Sequence, residues 1–142
     1  MKIKVHENYG ISERQLNEMA CVGVLDDFEI QVWNREGRNI PHVHVYNCER
    51  RNKNTKIDVC IQLERAQYFE HGKHTGTLNA EQRKDFDSYM RKPHKNGVFA
   101  TNYEFAVFLW NNMDDVKKVI PQKDNKGNVI IPDYTEIAPY KK

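Results

Sequence analysis

Hydrophobic and polar residues alternate in three consecutive segments in the first half of the chain. The segments are FEIQVWN at 28–34, IPHVHVY at 40–46 and TKIDVCIQL at 55–63. Alternation of this kind is typical of a β-strand with one buried face. Because the links are short, and 35–38 is a glycine-containing turn, we predict an antiparallel meander. Pro41 has no N–H group, so it must lie at a strand start or on an edge.

The hydrophobic period changes to that of a helix in the second half. Two segments, 78–92 and 101–119, each open with a capping box and carry an apolar stripe. We predict that both are helices and that 101–119 is the main core helix. A further capping box predicts a short N-terminal helix over 11–23, after a possible edge strand at 1–5.

These elements predict an α+β fold, because each apolar sheet face or helix stripe must be buried against another. We expect a two-layer sandwich in which a three- to four-stranded antiparallel meander packs against two C-terminal helices. A chain of 142 residues suits one domain. We assign that domain to residues 1–120 and a proline-containing extension to 121–142. The extension has a turn at 125–127 and is expected to form a loose hairpin over 128–134 or a tail.

The charge of the chain excludes a dedicated DNA-packaging protein. Its 22 basic and 20 acidic residues give a net charge of only +2. A local basic cluster nevertheless lies in the loop 48–56, which carries Arg50, Arg51, Lys53 and Lys56. This loop is either a solvated connection between two strands or a finger that contacts phosphate groups.

The three cysteines and the N-terminus indicate the compartment. An odd number of cysteines, without a CxxC pair, predicts reduced thiols rather than a disulfide framework or a cysteine-rich zinc module. The N-terminus lacks the apolar core of a signal peptide. No apolar run approaches the roughly 20 residues that span a bilayer. We therefore expect a cytoplasmic protein with no membrane partner, and a homo-oligomer is possible.

One face of the predicted sheet collects side chains that can do chemistry. Its members are Gln31, Trp33, His42, His44, Tyr46, Asp58 and Cys60. We expect this face to be partly open, because the helices cover the other one. It is either an ordinary polar sheet face, a binding surface or a metal site. In the last case His42 and His44 share a face at i and i+2, and Asp58 or Cys60 completes the ligand set.

Two further histidines, His71 and His74, lie in a glycine-containing loop. They are either surface residues or a source of one general acid or base for the strand pair. The chain has no nucleophile elbow, P-loop or dinucleotide fingerprint. Near the end of the second helix, Asn111 and Asn112 occupy positions that helix propensity disfavours. We expect their amides to bind another segment, for example the loop that carries His71.

The segment IPHVHV, with FEIQVW before it and IDVCIQL after it, resembles a family of small bacterial and phage proteins. These share a proline–histidine–x–histidine–valine strand and carry only a domain-of-unknown-function label. The likeness covers residues 28–113 and is most specific at Pro41, His42 and His44. Ile40 replaces a second proline that is common there. The resemblance implies a toxin–antitoxin-like or mobile-element setting, but brings no catalytic residues. The loop 49–56 and the tail from Pro121 lie outside the shared part.

Three functions are consistent with these observations. The first is a binding or inhibitor module that contacts a protein partner, for example a host defence component, or nucleic acid. Its contact residues would be His42, His44, Arg50, Arg51, Lys53, Trp33 and Tyr46. The second is a small toxin-like ribonuclease with His42, His44 or His71 as general acid or base and Arg50 or Lys56 steadying a phosphate. The third is a metal-binding protein. We rank the binding module first, lean against an enzyme, and assign no cofactor and no metal ligand.

Overall fold

The computed structural model describes residues 19–25, 28–33, 40–47, 57–71, 75–95, 97–113 and 116–141. Four strands form one antiparallel sheet: β1 (Met19–Val24), β2 (Phe28–Trp33), β3 (His42–Asn47) and β4 (Asp58–Gln62). Their order in the sheet is their order in the chain, so the predicted meander is confirmed. Two helices follow, α1 (Ala80–Arg91) and α2 (Asn102–Asn111). The predicted α+β class is therefore confirmed.

The centre of the sheet is β3, which pairs with β2 on one side and β4 on the other. In this register His44 lies opposite Gln31 on β2 and opposite Cys60 on β4. The alternate residues Val43 and Val45 are fully buried, as the alternation predicts. The register therefore places the polar side of β3 next to the polar side of β4.

The N-terminal helix predicted over 11–23 is wrong at its C-terminal end, because Met19–Val24 is strand β1. Residues 1–18, with the rest of that helix and the possible edge strand, lie outside the described part of the chain. Pairing with β2 decides the conformation of β1, and the register shifts between Cys21 and Gly23. A Cβ atom at Gly23 would lie 1.7 Å from the Tyr89 hydroxyl oxygen. Gly23 thus leaves room for the end of the Tyr89 side chain, instead of ending a helix.

Both predicted C-terminal helices are present, and their starts follow the caps. In α1 the Asn79–Gln82 capping box is formed in both directions. Helix α2 begins after Thr101, whose hydroxyl accepts the Glu104 N–H, but it ends at Asn111 rather than at 119.

The two asparagines at the end of α2 bind nearby backbone. The Asn111 amide donates to the Val119 carbonyl and accepts its N–H, at 2.9 and 2.7 Å. The Asn112 amide donates to the Phe108 carbonyl. These bonds go to Val119 and Phe108, so in them the amides do not reach the loop carrying His71, as we had expected. They lie instead where the chain leaves the helix.

The C-terminal segment 116–141 follows an irregular path along the domain. The predicted turn is present, with Gly127 at a positive φ of 83°, and a single bridge joins Lys123 to Val129. Tyr134 is fully buried, and its hydroxyl donates to the Gln62 carbonyl at 2.8 Å. Its N–H donates to the buried Asp87 carboxylate at 2.9 Å. The boundary at residue 120 stays a prediction, but these bonds tie the segment to the sheet and to α1.

Candidate metal centre

Four side chains that can ligate a metal converge at the middle of the sheet: His42, His44, Cys60 and His71. One ligand atom from each lies within 4.8 Å of the others. Three of them, His42, His44 and Cys60, are at most 1% exposed, and His71 is half-buried. Among the residues that the structure describes, this is the one group of three or more such side chains close enough to hold an ion.

Three chain segments build the cluster. His42 and His44 are two apart on β3, so their side chains leave the same face of the strand. Cys60 comes from the neighbouring strand, directly opposite His44. His71 arrives on segment 67–71, which runs beside β4. The Phe69 N–H donates to the Cys60 carbonyl at 2.9 Å, and the Gln62 N–H donates to the Gln67 carbonyl.

The spacing of the ligand atoms is close to that of a tetrahedral site. The Nε2 atoms of His42 and His44 are 3.2 Å apart, and Cys60 Sγ lies 3.4 Å from His71 Nε2. Nitrogen ligands about 2.0–2.1 Å from a tetrahedral zinc ion lie about 3.3–3.4 Å apart, and a nitrogen–sulfur pair about 3.5 Å apart. The two close pairs therefore resemble opposite edges of a coordination tetrahedron. The widest separation, up to 4.8 Å, must shorten by roughly 1.3 Å to reach the tetrahedral spacing around an ion.

A backbone carbonyl fixes the orientation of the first ligand. His42 Nδ1 donates to the Ile40 carbonyl at 2.6 Å. Because a carbonyl can only accept, the neutral ring carries its hydrogen on Nδ1 and presents the lone pair of Nε2 to the cluster. A carbonyl that orients a ligating histidine in this way is a common feature of metal sites. Pro41 lies between the two residues, directly before β3. The sequence gives no direct sign of the hydrogen bond between His42 and Ile40.

The four side chains of the cluster form a chain of hydrogen bonds. Since His42 Nε2 has a lone pair, His44 Nε2 donates to it, which leaves His44 Nδ1 as an acceptor. The Cys60 thiol lies 3.4 Å from that nitrogen and donates to it. His71 Nε2 in turn donates to the sulfur. The four side chains therefore form a satisfied buried network, and a metal must displace at least the thiol proton to bind there.

Aromatic rings surround the cluster. Trp33 stacks on His44 with a centroid distance of 4.1 Å and an angle of 10°, and Tyr46 stacks on Trp33 at 5.4 Å. Phe69 and Trp110 lie against His42 at 4.8 and 5.4 Å. Trp33 and Tyr46 are half-buried, whereas Trp110 is fully buried.

This packing overturns the expectation of an open histidine face. His42 and His44 are 0% exposed, because segment 67–71 and Trp110 cover the side of the sheet that we expected to be open. The two rings are therefore closed to a macromolecular partner or an RNA substrate. The basic residues Arg50, Arg51, Lys53 and Lys56, together with His74, lie outside the described residues. The predicted contacts of the basic residues with a partner or a phosphate, and the predicted acid–base role of His74, stay predictions.

The cluster selects among the sequence candidates. Cys60 joins the two strand histidines, whereas Asp58, the other candidate ligand, is not a member. His71 lies beside His42 and His44, as one hypothesis from the sequence expected. It also lies beside the Cys60 thiol, and the site is covered. A further histidine, His94, belongs to a different buried site: its Nδ1 donates to Asn102 Oδ1 at 2.9 Å.

Comparison with protein-family models, with curated proteins and with solved structures found no match. The resemblance to the bacterial and phage family, and the setting that it implies, therefore stay predictions. In the part of the chain that the structure covers, no helix has the length and apolar character needed to cross a bilayer.

Proposed function

We propose that this protein binds a transition-metal ion through His42, His44, Cys60 and His71. The observation that carries the proposal is the convergence of one sulfur and three imidazole ligands from three chain segments within 4.8 Å. Imidazole and thiolate ligands suit zinc, copper and related ions, whereas magnesium and calcium prefer oxygen. The donor set therefore favours a transition metal over an alkaline-earth ion.

Burial favours a bound ion over a catalytic cysteine. A nucleophilic thiol needs a substrate within reach, and reactive cysteines lie in partly exposed sites. Cys60 is 1% exposed and Phe69 pairs with its backbone, so a substrate cannot reach the sulfur. Metal ligation asks only that a small ion enter. His71, as the half-buried ligand, lies on the accessible side of the site.

An ion would join elements that are distant in sequence. It would link β3 and β4 to segment 67–71, which also contacts the C-terminal segment: the Tyr68 N–H donates to the Ala138 carbonyl, and Phe69 packs edge-on against Tyr140. A metal that binds only the folded protein adds its binding energy to folding. A bound ion should therefore stabilise the sheet and segment 67–71 together.

The test is metal analysis of protein purified without a histidine tag. After removal of metal with a chelator and addition of zinc or cobalt, wild type should retain about one ion per chain after dialysis. Cys60→Ser and His42→Ala should lose most of it. Cys21→Ser and His94→Gln, which remove a thiol and a buried imidazole outside the cluster, should retain it. Equal retention by all five proteins, or none by wild type, would refute the proposal.

Proton release gives an independent measurement. Binding should release about one proton per ion near neutral pH, from the Cys60 thiol, because the histidines are able to ligate as neutral rings. Calorimetry in buffers with different ionisation enthalpies reports this number directly. Release of no proton would mean that the thiol does not ligate.

A further inference from the structure

Three features of the cluster point to a role beyond holding the fold together. The first is its donor set. Structural zinc sites usually contain two to four cysteines, whereas one thiolate among imidazoles is the ligand type of copper sites that transfer electrons. Cys60 is the single sulfur among the four ligands, and three histidines complete them.

The second feature is closure. His42, His44 and Cys60 are buried, so no sizeable substrate can bind directly to an ion there. Hydrolytic and Lewis-acid chemistry need an open coordination position. An ion enclosed in this way can still exchange an electron, because electron transfer needs close approach but no bond to the partner.

The third feature is the ring stack that leads away from the cluster. The imidazole of His44 lies parallel to the indole of Trp33, and Trp33 lies nearly parallel to Tyr46. His44 is fully buried, but Trp33 and Tyr46 are half-buried. The stack therefore runs from a ligand to the protein surface. Phe69 and Trp110 are buried rings that lie tilted against His42, and Phe69 also stacks on His71 at 5.1 Å.

We propose that the cluster is a copper site that exchanges single electrons with one-electron donors and acceptors, and that Trp33 is the route. This inference rests on the proposed metal binding. In each cycle Cu(II) gains one electron from a donor to become Cu(I), and Cu(I) returns it to an acceptor; no bond to either partner forms or breaks. The cluster has a third imidazole where blue-copper sites have a weak fourth ligand. The reduction potential of copper bound here should therefore be lower than that of blue-copper sites.

The experiment uses metal-free wild type with one equivalent of Cu(II) under anaerobic conditions. A visible thiolate-to-copper absorption band, absent in Cys60→Ser, reports binding. The band should disappear with hexaammineruthenium(II) and return with hexacyanoferrate(III) over repeated cycles. In stopped-flow measurements, Trp33→Leu should slow both steps severalfold while keeping the band. Trp33→Phe, which keeps a ring, should fall between wild type and Trp33→Leu. Phe99→Leu, which removes a half-buried ring beside His94 and Phe105 instead of beside the cluster, should match wild type.

The outcomes separate the two proposals. A band that bleaches irreversibly would overturn electron transfer, and rates that are equal in wild type and Trp33→Leu would overturn Trp33 as the route. Either outcome would leave metal binding intact. Failure to bind copper together with failure to retain zinc or cobalt would overturn both. Zinc retention without a copper band would limit the site to a structural role and overturn this inference alone.

Discussion

Two buried histidine environments in this molecule differ in what their ring nitrogens meet. At His94, Nδ1 donates to Asn102 Oδ1, the Asn102 amide donates to the Tyr89 carbonyl, and the ring packs on Phe105 at 3.9 Å. In the cluster, His42 Nδ1 donates to the Ile40 carbonyl, and the remaining nitrogens of His42 and His44 meet an imidazole or a thiol. Both environments satisfy buried polar groups, as an apolar interior requires.

If the cluster binds a metal as proposed, the difference is one of function, because a metal cannot replace the partners of His94. The Asn102 amide oxygen holds one tautomer of His94, and neither this oxygen nor the Tyr89 carbonyl supplies a second imidazole or a thiolate. The cluster partners are themselves ligands, and they can give up a proton to an ion. Burial alone therefore does not identify a functional histidine; the chemical nature of its neighbours does.

The largest expected effect is on stability with metal. At a free zinc concentration 1,000 times the dissociation constant, the free energy of unfolding of wild type should rise by about 4 kcal/mol. Denaturant unfolding with and without zinc measures this rise. His42→Ala should lose it, and His94→Gln should keep it. A full rise in His42→Ala would show that zinc acts elsewhere.

A smaller effect is expected at the His94 site. Asn102→Ala removes the acceptor of the His94 N–H and the donor to the Tyr89 carbonyl, so the free energy of unfolding should fall by about 1–3 kcal/mol. Asn102→Asp keeps the acceptor and should recover part of the loss. Zinc affinity, measured by competition with a chelating dye, should not change. A large change in affinity would show that the two environments are coupled.

The smallest expected effect is on alkaline stability, and it concerns Cys21, the described thiol that lies outside the cluster. Burial, and then the hydrogen bond to Glu29, raise the pKa of Cys21 from 9.0 to about 12. Because the folded state holds this proton more tightly, its stabilising contribution is complete below pH 9 and is lost as the pH rises towards about 12. Unfolding measured at pH 8 and pH 10.5 should show a slightly smaller alkaline loss in Cys21→Ser than in wild type. Zinc should leave that difference unchanged, and a zinc-dependent difference would connect Cys21 to the cluster.

The sequence predicts most of the fold because its signals are local. Alternation within 28–34 and 40–46 and the capping box at Asn79 act over a few residues, and the structure confirms the strands and helices that they predict. Strand β1 was missed because Met19–Val24 lacks alternation and becomes a strand by pairing with β2. Pairing with a neighbouring strand can override the intrinsic conformational preference of a segment.

The candidate site was only partly predictable. Strand parity correctly groups His42 with His44 and offers Cys60 as a partner. The arrival of His71 depends on the bond between the Phe69 N–H and the Cys60 carbonyl, a contact that has no signature in the sequence. The covering of the histidine face depends on Trp110, which lies far away in the chain. Non-local packing therefore decides both the ligand set and its burial.

The position of Tyr134 has a consequence for how the protein is made. Its ring is fully buried, with the hydroxyl on the Gln62 carbonyl and the N–H on Asp87. During synthesis, the sheet and both helices emerge from the ribosome before this residue does. The core therefore cannot close around this aromatic ring until residue 134 has left the ribosome, so the sheet and helices must wait for this segment before their packing is complete.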